Sequence, residues 1–66
     1  MKIWLNGELA DAQTSRTVAE LAAHFSLPQN SVLVEHNGLA LRPREWATSG
    51  LSEGDRVEFV RVVAGG

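Results

Sequence analysis

Two Asn-Gly pairs, Asn6-Gly7 and Asn37-Gly38, each stand between short apolar segments. A two-residue loop between paired strands favours a turn with positive φ at both positions, which Asn and Gly adopt at the least steric cost. Each pair therefore predicts a β-hairpin. KIWL, NG and ELADA give one over Lys2–Gln13, and VLVEH, NG and LAL give a second over Val32–Leu41. Alternation sends Ile3 and Leu5 to one face of the first strand and Lys2 and Trp4 to the other, so Trp4 is either exposed or covered by a partner.

Between the hairpins, TVAELAAHF pairs Thr17 with Glu20 three residues later, the spacing of a capping box. Val18, Leu21, Ala22 and Phe25 follow at helical spacing. The segment predicts an amphipathic helix ending near Ser26 or Leu27, because Pro28 cannot continue it and Pro28-Gln29-Asn30-Ser31 reads as a loop. Pro43 with Glu45 behind it suits a single helical turn, and Trp46 is its apolar anchor to the core. Ser52-Glu53-Gly54-Asp55 makes a turn into a last strand, RVEFVRVV. There Val57 and Phe59 share one face, while Glu58, Val60 and Val62 share the other.

The order hairpin, helix, hairpin, helical turn, strand predicts an α+β fold: a mixed sheet of four to five strands with one main helix on a single face. The expected core is Ile3, Leu5, Val18, Leu21, Phe25, Val57 and Phe59, with the first and last strands parallel at the sheet centre. At 66 residues the chain holds one domain with one small core.

Composition removes several function classes. Six basic against eight acidic residues give a net charge of −2, with the signs mixed along the chain, which is no nucleic-acid footprint. There is no cysteine, hence no thiolate nucleophile or disulfide framework, and a reducing, cytoplasmic setting is compatible. No run approaches the roughly eighteen apolar residues of a membrane span, and the amino end lacks a signal-peptide pattern, so a soluble, unprocessed protein is expected. His24 and His36 fall on different elements without Cys or a convincing carboxylate companion, so no metal site is expected. His24 reads as a surface helix residue. His36 stands where an apolar residue is expected and has no functional account.

The sequence closes on VVAGG. Two glycines at the end of an apolar run are costly to hold still and pack nothing. Either the end is frayed, or Ala64, Gly65 and Gly66 form a flexible, side-chain-free arm whose carboxylate a partner must reach.

Taken in order, LNGE, TVAEL, VEHNG, PREWATSG and GDRVEFVRVVAGG resemble the ubiquitin-like β-grasp fold and, within it, the thiamine-pathway sulfur-carrier family, ThiS. The match covers essentially the whole chain, as a single domain over residues 1–66 with 64–66 as a flexible tail. The resemblance implies a carrier that is not itself an enzyme and binds no cofactor. Its terminal Gly66 carboxylate is adenylated by an ATP-using, E1-like enzyme of the ThiF type. It is then converted to a thiocarboxylate with sulfur from a donor such as a cysteine desulfurase, and delivers that sulfur to a thiazole synthase of the ThiG type. Ala64, Gly65 and Gly66 would enter the partners' active sites. The tail alone also fits a carrier feeding molybdopterin or another acceptor, a conjugated modifier, or a non-catalytic interaction module. Trp4, Leu33, Val60 and Val62 are the expected docking residues, an apolar patch on the open sheet face or else side chains half-covered by neighbours. Arg42, Arg44 and Arg61 either steer an acidic partner surface or form a solvated face.

Overall fold

In the computed structural model, which describes residues 1–62, Asn6 and Asn37 take φ of 50° and 51°, and Gly7 and Gly38 follow at 83°. Both turns have the conformation that Asn-Gly favours, and both close hairpins. The first joins β1 (Lys2–Leu5) to β2 (Glu8–Asp11) and the second joins β3 (Val32–His36) to β4 (Leu39–Leu41). β2 stops two residues short of Gln13 because Asp11 Oδ1 accepts the Gln13 N–H at 2.8 Å, and Gln13 turns to φ 56°. That local turn replaces the ladder.

The last strand, β5 (Arg56–Arg61), joins the hairpins. The sheet order is β2-β1-β5-β3-β4. β5 runs parallel to β1, with Trp4 level with Arg56, and antiparallel to β3, from Val32 opposite Arg61 to His36 opposite Val57. The mixed five-stranded sheet and its central parallel pair match the expectation from the sequence.

One face of this sheet carries the helix α1 (Val18–His24). Its first turn is tied as the Thr17/Glu20 spacing predicts: the Thr17 hydroxyl accepts the Glu20 N–H at 3.1 Å. The Glu20 carboxylate reaches one residue further back than a simple box requires, accepting from Arg16 N–H at 2.6 Å. Residues 49–51 lie along this entrance, with Val18 N–H donating to the Ser49 carbonyl and Leu51 N–H to the Arg16 carbonyl. A 3₁₀ helix over Pro43–Thr48 holds Trp46 in the core at 1 % exposure, edge-on to Phe59 with ring centroids 5.9 Å apart.

Ile3, Val18, Leu21 and Val57 are fully buried as expected, and Leu5 and Phe59 are partly so. Phe25 is the correction: it is 43 % exposed. The helix ends at His24, earlier than expected, and Ser26 enters the left-handed region at φ 57°. Ser26 N–H then donates to the Ala23 carbonyl and Leu27 N–H to the Ala22 carbonyl. This Schellman closure folds Leu27, rather than Phe25, back against the core. Phe25 is left edge-on to the His24 ring at 5.0 Å.

Candidate functional site

The open face of the sheet has no helix over it. Along β5, alternation brings Glu58, Val60 and Val62 to this face, and Val60 and Val62 are 55 % and 51 % exposed. Leu33, 62 % exposed, lies directly across from Val60 in the β3–β5 register. Ala40 of β4 lines the same shallow depression. Val62 N–H donates to the Ser31 carbonyl at 2.9 Å, which fixes the end of β5 beside the start of β3. Three of the four expected docking residues, Leu33, Val60 and Val62, therefore gather at one end of the face.

Trp4 is exposed on the same face but stands apart from that group. It is level with Arg56, and Val60 lies four positions farther along β5, about 13 Å away at the rise of a strand. Its cross-strand neighbour is Leu9, an exposed residue that the sequence reading did not single out. Between the two apolar groups runs a charged band, where Glu35 and Glu58 face each other across β3 and β5 and share a depression with Arg56. Like charges directly opposite repel, and Arg56 is the cation that shares the depression with them. Ala64, Gly65 and Gly66, on which the tail expectation falls, lie outside the described residues.

His36 now has an account. Its Nε2 is 2.7 Å from Asp55 Oδ2 and its Nδ1 is 2.7 Å from Ser49 Oγ. An ionised Asp55 only accepts, so His36 Nε2–H is the donor in that bond. Asp55 also accepts from Asn37 Nδ2 at 3.1 Å and from Ser52 N–H at 2.9 Å. The three residue types are those of a hydrolase triad, but here they clasp the ends of β3, the 3₁₀ helix and the turn before β5. The sequence reading missed the clasp because its members come from three separate elements. The one local signal was Asp55 three residues after Ser52, the spacing of a side chain that caps its own turn.

Burial pushes the Asp55 carboxyl up, but the hydrogen bonds from His36, Asn37 and Ser52 outweigh it and hold the group below its ordinary value of 3.8. A carboxyl lowered on folding contributes stability that is present above the ordinary carboxylate range and lost as pH falls through the folded value. Asp55→Asn should therefore cost about 1–3 kcal/mol at pH 7 and flatten the fall in stability below about pH 4. Urea unfolding at pH 7 and pH 3 measures both; an unchanged acid limb would remove Asp55 from it.

Among the described residues no group of three or more His, Cys, Asp or Glu can hold a metal, and no helix is long and apolar enough to cross a membrane.

A mixed five-stranded sheet around a central parallel pair, one helix on one face and an apolar patch on the other define a β-grasp protein of the ubiquitin-like class. The ThiS family model matches residues 3–66. The chain belongs to that family, the sulfur carriers of thiamine biosynthesis. Among solved structures it is similar to the crystal structure of the thiamine biosynthesis protein ThiS from Geobacter metallireducens, with 29% identity, a TM-score of 0.83 and 100% of each chain covered. It is likewise similar to the NMR solution structure of a thiamine biosynthesis protein from the same organism, with 29% identity and a TM-score of 0.79 over 100% of this chain and 88% of that one. No curated protein sequence matches the chain.

Proposed function

We propose that this protein carries sulfur to the thiazole of thiamine on its C-terminal glycine, and that it is a substrate of its partner enzymes rather than a catalyst. The observation that carries the reading is the family match running through residue 66, over a sequence that closes on Gly65-Gly66. A partner adenylyltransferase of the ThiF type joins the Gly66 carboxylate to the α-phosphorus of ATP and releases pyrophosphate. A persulfide supplied through a donor such as a cysteine desulfurase then displaces AMP to form an acyl disulfide, and a thiol of the partner enzymes attacks the sulfur on the donor's side of that bond, forming a disulfide with the donor and releasing the thiocarboxylate for the ThiG-type thiazole synthase. A side chain at either of the last two positions would obstruct a narrow channel, and glycine accepts whatever φ and ψ the partner imposes. With sulfur held on the carboxyl terminus, the carrier needs no cysteine of its own.

Residues 63–66 span at most about 14 Å, so an enzyme working on Gly66 must come within that distance of Val62. The Leu33–Val60–Val62 patch lies at that end of the sheet, where such an enzyme must dock. With the adenylating enzyme, ATP and a sulfur source all present, the intact protein should gain the mass of one oxygen exchanged for sulfur. No gain with a competent partner would refute the reading.

The docking patch has its own test. Val60→Asp should leave urea unfolding within about 0.5 kcal/mol of the parent, because the side chain faces outward. Affinity for the adenylating enzyme should fall by about tenfold or more, as for loss of an apolar interface anchor. Calorimetric titration reads the affinity; undiminished binding would take Val60 out of the interface.

A further inference from the structure

The opposite face of the sheet, behind the patch, holds a groove of about 420 Å³ at the same end of the molecule. Phe25 and Leu27 from the turn that closes α1 form one wall, and Val32, Leu5 and Phe59 form the rest of the apolar lining. The two remaining lining residues are Asn6 and Arg61. Asn6 Oδ1 already accepts the Phe59 N–H at 2.8 Å, so what Asn6 offers is its amide N–H donors. The Arg61 guanidinium can only donate. Among the described residues no acidic side chain lines the groove.

An apolar hollow whose two polar side chains, Asn6 and Arg61, offer donors, one of them a full positive charge, is complementary to an apolar side chain carried next to a carboxylate. Phe25 strengthens the case. The left-handed Ser26 holds a large aromatic ring half in the open, although helical spacing alone would have turned it inward.

The position of the groove names the partner. Arg61 directly precedes Val62, and the Gly66 carboxylate is at most about 14 Å of chain beyond Val62. An enzyme that handles that carboxylate is thereby brought to the groove as well as to the patch. We propose that the groove receives an apolar residue and an adjacent carboxylate from the rim of the adenylating enzyme's tail channel, a second attachment point behind the sheet. This rests on the carrier reading above.

The test is ATP–pyrophosphate exchange by the adenylating enzyme, with the full-length carrier as varied substrate, comparing the parent with Arg61→Glu and Phe25→Ser. Both side chains are exposed, so both variants should keep the parent's circular-dichroism melt; if Phe25→Ser does not, Arg61→Glu alone decides. Each variant should raise KM about tenfold, the loss of one interface anchor, and leave kcat unchanged, since neither touches the reacting carboxylate. The Arg61→Glu effect should shrink as salt rises. Exchange by the parent with unchanged KM in the folded variants would overturn the groove proposal and leave the carrier reading standing. Failure of the parent itself to support exchange would overturn the carrier reading, and the groove's occupant with it.

Discussion

A chain lacking Gly66 should melt at the same temperature as the full protein and transfer no sulfur. The two halves of that result have separate physical causes. The buried core of the described residues runs from Ile3 to Val57, and β5 ends at Arg61, and a glycine brings no side chain to bury, so its loss should leave the melting temperature where it is. In the carrier function proposed above, the chemistry depends on the position of one carboxylate. Shortening the arm by a residue withdraws that group by about 3.5 Å, beyond the near-attack distance that a fixed α-phosphate requires, and misplacement by even about 1 Å can cost 10²-fold. Extending the chain past Gly66 is as damaging, because the carboxylate becomes an amide with no anionic oxygen to attack phosphorus. Gly65→Val should act in the same direction by restricting φ and ψ and widening the arm. Thiocarboxylate formation, read by intact mass beside a thermal melt, separates the two halves. Full transfer by the shortened chain would end the carrier reading.

Trp46→Ala should leave much of the protein unfolded at 25 °C. The indole is the largest fully buried side chain among the described residues, held by the 3₁₀ helix against Phe59 and α1. Truncating a buried Trp costs about 3–5 kcal/mol. A domain of this length has only about 3–10 kcal/mol in total. The indole Nε1 finds no acceptor among the described residues, so Trp46→Phe removes an unpaired buried donor while keeping most of the volume. It should cost clearly less than the alanine variant. Urea unfolding followed by circular dichroism gives both values, and an alanine variant as stable as the parent would contradict the packing described.

The hairpins were legible in the sequence because the signal is local: Asn-Gly needs only its own two residues to specify the turn, and both dipeptides show the positive φ they imply. The helix start was legible for the same reason, through Thr17 and Glu20. Trp46 could be placed because a lone large aromatic on a short helical turn has few options besides the core. Phe25 misled because its spacing is helical while its backbone is not: Ser26 had to be known as left-handed before Leu27 could be seen to take its place. The His36–Asp55–Ser49 clasp was hidden because its members lie 13 and 19 residues apart from His36 and meet only when β3 and β5 pair. On the candidate site, residue type and alternation put Trp4, Leu33, Val60 and Val62 on the open face. The stagger of β1 against β5, which separates Trp4 from the rest, is a matter of register that alternation cannot supply.

The parallel pairing of β1 with β5 also decides how the domain bears load. A pull on the amino end of β1 and the carboxyl end of β5 draws the two strands past each other lengthwise. The bonds from Gly54 N–H to the Lys2 carbonyl, Trp4 N–H to the Asp55 carbonyl and Asn6 N–H to the Val57 carbonyl are then strained together rather than one after another. A strand held in this way resists being drawn out, whereas an edge strand peeled from its neighbour gives way bond by bond. Any force applied along the far end of β5 therefore works against a shear joint.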